Sequence, residues 1–394
     1  MRLLIVIVIL HVGILGNSQP NFEKGKIVDS IPIEVNSKET FALYLPTSFE
    51  PSKLSPVVFI FEPAARGKIG IKPFIEASEK HGHILICSNN SRNGPYAKSF
   101  DIANRLFKYA LANFNIEKDL VFLAGFSGGS RLASAIAVLT NQIAGVIACG
   151  AGFSLEPSHR PSIQKFSYAG ICGDQDMNYT EMIRAKGYLQ KFNFSNTLFI
   201  YPGDHKWPPS EQITRAFDWL EIQSHLKGIA TKTQTEIVKS YVKNYEFAYA
   251  AETNNKHIKA VENYERILTT YGTILQLDSI GSKLKKILKS KEYKTSLKSI
   301  SKAFDKEDKL TKMFYERFNE DYPNPDNSDL NWWRKELDKL KKTEDQEMNK
   351  MVTRLRYKIF AMAFSRTNPN LHQSSDKQKQ LCRDICKIVY PRFK

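Results

Sequence analysis

Between Lys26 and Leu220 the sequence repeats one pattern, in which short continuous apolar runs are separated by segments with helical spacing. The runs PVVFIFEP, GHILICSNN, DLVFLAG, QIAGVIACGAG, QKFSYAGICG and NTLFIYPG have strand length. They lack the alternation of a half-exposed strand, so each must be covered on both faces. Between them lie KPFIEASEKH, FDIANRLFKYALANF, SRLASAIAVL, EMIRAKGYLQKF and SEQITRAFDWLEIQSHL, each apolar along one helical side. Buried strands alternating with amphipathic helices imply an α/β fold with a mostly parallel sheet and helices on both faces. Ahead of them KIVDSIPIEV and TFALYLP show apolar residues at period two, as in an opening hairpin.

After about Gly228 the strand pattern stops. HIKAVENYERILTTYG places Val261, Tyr264, Leu268 and Tyr271 along one helix face, and RLRYKIFAMAF and KQLCRDICKIVYPRF repeat the theme. Residues 229–394 therefore read as an all-α domain of helical hairpins similar to tetratricopeptide repeats, without a clean 34-residue period. The chain of 394 residues divides into an α/β domain over 19–228 and this helical domain. The formal charge of +16 divides unevenly, because residues 1–226 carry 22 Lys and Arg against 19 Asp and Glu, and residues 227–394 carry 35 against 22. Attraction to a protein or acidic-polymer partner would thus reside in the helical domain.

MRLLIVIVILHVGILGNSQ has a basic n-region, an apolar run and a small polar close. Residues 1–18 read as a signal peptide, which makes the mature protein secreted or periplasmic and soluble, with no nucleic-acid partner. The five cysteines Cys87, Cys149, Cys172, Cys382 and Cys386 form no C-x-x-C pair. They suggest neither a disulfide scaffold nor a metal site.

The run Leu120–Ala124 ends in Gly125-Phe126-Ser127-Gly128-Gly129, and a helical segment follows at once. A G-x-S-x-G sequence between a buried strand and a helix is the context of a nucleophile elbow, where a sharp turn exposes a strained serine. Side chains two before and two after would collide in so tight a turn. The competing reading, a phosphate-binding turn, lacks its lysine.

A serine hydroxyl needs a base to take its proton, and the base needs a carboxylate to orient it. After Ser127 the histidines are His159, His205, His225, His257 and His372. His205 alone follows an apolar strand and a Pro-Gly turn, in TLFIYPGDHKWPP. The strand in FSYAGICGDQDMNY ends in Asp174 and Asp176. Asp176 is favoured as the acid, Asp174 reads as a cap or turn residue, and Asp204 is too close in the chain to face His205. The oxyanion donors expected are the N–H of Gly128 and, from FEPAARG, that of Ala64, with Ala65 next, since Pro63 has none.

On these residues the region from Lys26 to His225 resembles an α/β-hydrolase, specifically the secreted polyhydroxybutyrate depolymerase and feruloyl esterase group. Gly125–Gly129, Gly173-Asp174-Gln175-Asp176 and Gly203-Asp204-His205-Lys206-Trp207-Pro208 are similar to that group's serine, aspartate and histidine motifs. The resemblance implies a serine hydrolase that cleaves carboxylic esters, carbohydrate- or polymer-linked ones included, by an acyl-enzyme route without metal or organic cofactor. One departure is Glu62-Pro63, where such enzymes carry His-Gly on the oxyanion loop. It favours the alternative of a weakly active or inactive hydrolase-fold binding protein that acts through its helical domain.

Overall fold

The computed structural model describes residues 22–34, 37–341, 343–369 and 371–393. The signal-peptide reading therefore lies outside the described residues. The described residues form two compact units, one of those up to Gly173 with Asn178–Thr231 and the other of Asp174–Met177 with those from Lys232 onward.

The first unit is an eight-stranded sheet. Its strands are β1 (Ile27–Pro32), β2 (Thr40–Tyr44), β3 (Ser55–Phe61), β4 (Ile84–Ser88), β5 (Ile116–Phe126), β6 (Gly145–Cys149), β7 (Ser167–Gly173) and β8 (Asn196–Tyr201). Their order is β1-β2-β4-β3-β5-β6-β7-β8. Strands β1 and β2 pair antiparallel, β2 joins β4 antiparallel, and from β4 to β8 every pairing is parallel. Each run expected to be a strand is one, and the central strands β3, β4, β6 and β7 are buried almost throughout, as parallel strands require.

Helices α1 (Gly67–Ile71), α2 (Ile75–His81), α3 (Tyr96–Asn113), α4 (Gly128–Thr140) and α5 (Tyr179–Lys191) lie between the strands, and α6 (Ser210–Leu226) follows the last of them. Alternate residues of one strand serve opposite faces. Val58 and Ile60 join a core with Ile71, Phe74, Ala77, Ile213, Phe217 and Leu220. Phe59 and Phe61 turn the other way, onto Phe107 of α3 at ring distances of 4.3 and 6.5 Å. Burying a side chain of this size contributes roughly 1.5–3 kcal/mol, so two-sided burial is what holds the sheet. This is the α/β-hydrolase arrangement, with the catalytic candidates at the carboxyl ends of the strands.

The second unit is helical, with α7 (Gln234–Thr253), α8 (His257–Tyr271), α9 (Asp278–Lys289), α10 (Lys291–Asp321), α11 (Leu330–Asp338), α12 (Gln346–Ser365) and α13 (Asp376–Val389). Their lengths run from 9 to 31 residues, which explains why a fixed period cannot be read from the sequence. Phe314, Phe318, Trp333, Met351, Leu355, Ile359, Leu381, Cys382, Ile385 and Cys386 form its apolar core. Both cysteines are free thiols, and burial pushes Cys382 up to about 11 and Cys386 to about 12. They pack as small apolar groups. Among the described residues no helix is long and apolar enough to cross a membrane.

One buried charge cluster fixes this unit. Arg354 and Glu307 are both fully buried and joined by Nε–Oε2 and Nη2–Oε2 contacts of 2.8 and 2.7 Å. Lys358 Nζ donates to the second Glu307 oxygen at 2.6 Å. Arg354 Nη1 donates to the carbonyl of Asp174 at 2.8 Å, and Lys350 pairs with the Asp174 carboxylate at 2.9 Å. Removing Arg354 strips Glu307 Oε2 of its donors away from water and leaves the carboxylate to Lys358 alone, which costs about 3 kcal/mol. Arg354→Met is therefore expected to lower the unfolding free energy of the helical unit by that amount, in urea titrations followed by Trp332 and Trp333 fluorescence. Lys377→Ala, which removes an exposed pair with Asp326, leaves the same transition in place.

Candidate active site

Strand β5 ends at Phe126 and α4 begins at Gly128, so Ser127 alone makes the turn. Its backbone lies at φ 53° and ψ −120°, a conformation L-residues rarely adopt, with a cost of about 1–3 kcal/mol. Close packing enforces it. A Cβ on Gly125 would lie 2.3 Å from the Gly129 backbone, and a Cβ on Gly129 would lie 2.0 Å from the carbonyl oxygen of Phe61. The start of α4 is thus pressed onto the ends of β5 and β3 with no room for a methyl group. Ser127 N donates to the Cys149 carbonyl at 2.8 Å, which pins the turn to β6.

Behind the turn, Arg131 grips Glu181 through two 2.8 Å contacts and donates to the Phe153 carbonyl. Glu181 also accepts from Gly152 N at 2.9 Å. The helix that carries the serine is thereby tied to α5 and to the segment after β6. This bidentate pair gave no sequence signal, because its members stand fifty positions apart.

His205 Nε2 lies 2.9 Å from Ser127 Oγ, and both side chains are half-buried. The loop that delivers it crosses the end of β7 so closely that a Cβ on Gly173 would sit 2.2 Å from the Gly203 carbonyl oxygen. Phe126 packs beside the imidazole at 4.7 Å and beside Trp207 at 5.3 Å, while Phe74 meets Trp207 edge-on at 5.7 Å. Trp207 is thus an anchor for the histidine loop. His159 is elsewhere, buried with its Nδ1 on Ser154 Oγ at 2.8 Å, and burial lowers its pKa.

The three candidate acids separate. Asp204 pairs with Lys206 at 2.9 Å on an exposed stretch. Asp174 is engaged with Lys350. Asp176 is 1% exposed and sits three residues beyond Gly173, which pairs in register with Tyr201, four residues before His205.

The oxyanion loop departs from the expectation. The Ala64 N–H donates to Glu62 Oε2 at 2.7 Å, and Ala65 N–H donates to the Glu62 carbonyl at 3.0 Å. Glu62 also accepts from Arg66 N at 3.0 Å and from the Arg66 guanidinium. The physical reason is that Glu62 is buried at 1% exposure, and a buried carboxylate takes the nearest donors available. Its acceptance of both amides shapes the turn, with Ala65 at φ 62°. Asn93 lies against Gly128, where a Cβ would be 1.9 Å from Asn93 Oδ1. Asn89 does serve the turn, accepting from Gly67 N at 2.8 Å. Among the described residues no group of three or more His, Cys, Asp or Glu is placed to hold a metal ion.

No protein-family model matches this chain, and no curated protein matches it. Solved structures do resemble it. A substrate-bound fluorophosphonate-binding serine hydrolase F from Staphylococcus aureus is 18% identical, with a TM-score of 0.41, over 46% of this chain and 92% of that one. S-formylglutathione hydrolase from Staphylococcus aureus is 16% identical at a TM-score of 0.40, over 52% and 99%. Esterase 2 of Thermogutta terrifontis, phosphonylated by sarin, is 13% identical at 0.42, over 54% and 99%. At these identities the resemblance carries no chemistry to this chain, whose own geometry must supply it.

The close packing at the elbow makes a direct prediction. Gly129→Ala places a methyl group inside the Phe61 carbonyl contact and is expected to destabilise the α/β unit by about 3 kcal/mol. The check is urea unfolding followed by Trp207 and Trp219 fluorescence. Gly187→Ala, at a helical position with open space around it, is the control and leaves stability equal or higher.

Proposed function

We propose that this chain is an exported serine hydrolase that cleaves carboxylic esters through an acyl-enzyme intermediate. The observation that carries the reading is the 2.9 Å contact between His205 Nε2 and Ser127 Oγ at a strained strand-to-helix turn. Ser127 is the nucleophile, and His205 removes its proton and later returns one to the leaving alcohol. Asp176 is the acid that holds the imidazole tautomer. What supports it over its neighbours is its burial, its place beyond β7, and the engagement of Asp174 and Asp204 with lysines. Gly128 N–H is one oxyanion donor.

Attack by Oγ forms the bond to the ester carbonyl carbon and places negative charge on the carbonyl oxygen, as the proton passes to Nε2. Collapse re-forms the carbonyl, breaks the bond to the alcohol oxygen and hands that oxygen the proton. Water repeats the sequence on the acyl-enzyme and releases the acid. Export is proposed from residues 1–18, and the excess of Lys and Arg in residues 227–394 supports a protein or acidic polymer as the partner of the helical unit.

The engagement of Ala64 N–H by Glu62 favours the second reading, a hydrolase scaffold of little activity. One experiment separates them. A fluorophosphonate probe is expected to label the purified protein on Ser127, located by peptide mass spectrometry. Ser127→Ala is expected to abolish labelling, and His205→Ala to slow it by about 10³-fold or more. A folded wild-type protein that takes no label would establish the scaffold reading instead.

A further inference from the structure

A tetrahedral intermediate on Ser127 needs two hydrogen-bond donors aimed at its oxyanion, and Gly128 N–H accounts for one. The loop after β3 is where the second would ordinarily be sought. Pro63 has no N–H. Ala64 and Arg66 donate to the Glu62 carboxylate, Ala65 to the Glu62 carbonyl, and Gly67 to Asn89 Oδ1. Every backbone donor from position 63 to 67 is thus absent or engaged.

A side chain stands in the place the loop leaves. Asn93 N donates to the Pro63 carbonyl at 2.9 Å, and Ala64 and Arg92 form an antiparallel bridge, so the segment carrying Asn93 is tied to the end of β3. From there its carboxamide covers Gly128. The position a Cβ would take on that glycine lies 1.9 Å from Asn93 Oδ1, 2.7 Å from Cγ and 3.0 Å from Nδ2. Glycine at 128 is what allows the approach. The Asn93 side chain has no hydrogen bond to any described residue and is solvent-exposed, unlike Asn89 and Asn90, which bond across the turn. A half-turn about its last torsion exchanges Oδ1 and Nδ2 at small cost, because that torsion is broad and two-fold.

We propose that Asn93 Nδ2 is the second oxyanion donor and hence a catalytic residue. The inference rests on the hydrolase reading above. As Oγ attacks and the carbonyl π electrons move to oxygen, the new oxyanion accepts from Gly128 N–H and Asn93 Nδ2–H, and both bonds relax when the carbonyl re-forms. A side-chain donor also explains how the site tolerates a glutamate in the loop, since Glu62 then shapes the turn without removing a catalytic group.

The test is p-nitrophenyl acetate hydrolysis by the full chain, with fluorophosphonate labelling run alongside. Removing one oxyanion donor costs about 10²–10³-fold in kcat. Asn93→Ala is expected to lose that much in kcat with KM within about threefold of wild type, and to slow labelling of Ser127 in parallel. Asn93→Asp, which offers only acceptors, is expected to fall at least as far, whereas Asn93→Gln recovers part of the loss. Melting temperatures of all three stay near wild type, which separates donation from a structural role. An Asn93→Ala protein with wild-type kcat and labelling rate overturns the inference and leaves the serine hydrolase intact. A wild-type protein that neither turns over nor labels at Ser127 overturns both.

Discussion

The contact between the first turn of α4 and the ends of β3 and β5 is the constraint on which the site depends. Gly125 and Gly129 meet backbone to backbone, and Gly129 lies against the Phe61 carbonyl, so the chain has one way to turn from strand to helix. That way leaves Ser127 in a left-handed conformation and its hydroxyl at the strand ends. The strain of about 1–3 kcal/mol is small against the burial that surrounds it, since β5 lies between β3 and β6 in the sheet and α4 is buried along most of its length.

Charge pairs fix what apolar packing alone would leave loose. Arg131 with Glu181 ties the serine helix to its neighbours, and Glu62 with Arg66 and two backbone amides shapes the loop after β3. In the helical unit Arg354, Glu307 and Lys358 do the same, with Asp174 held by Arg354 and Lys350. The pairs Arg131 with Glu181 and Arg354 with Glu307 join elements distant in sequence, Glu62 with Arg66 closes one loop on itself, and in each a carboxylate is matched by a cation, the condition under which such groups are tolerated. Glu62 shows how such a cluster can occupy backbone donors, because its carboxylate takes the amides of Ala64 and Arg66.

The sheet was legible because parallel strands buried on both faces must be continuously apolar, and every such run became a strand. The turn that carries Ser127 and the loop that carries His205 were legible for a related reason, since tight turns at strand ends demand glycines at fixed offsets, here Gly125, Gly129 and Gly203. Side-chain partners were not. Nothing in FEPAARG says that Glu62 folds back under its own amides, and nothing in SNNSRNG distinguishes Asn93 over Gly128 from Asn89 in a turn. The helical unit was legible as helices but not as an order of packing, because its unequal helices share no period that could set a register.

If the strained turn delivers a serine whose proton His205 accepts, an acyl group passes through Ser127. Rapid mixing with p-nitrophenyl acetate, quenched on the millisecond-to-second scale and read by intact and peptide mass, tests it most directly. A burst of nitrophenol is expected, matched by one acetyl group per chain on Ser127, which then decays as water releases acetate. Steady release of nitrophenol with no acyl group on Ser127 at any time would contradict it.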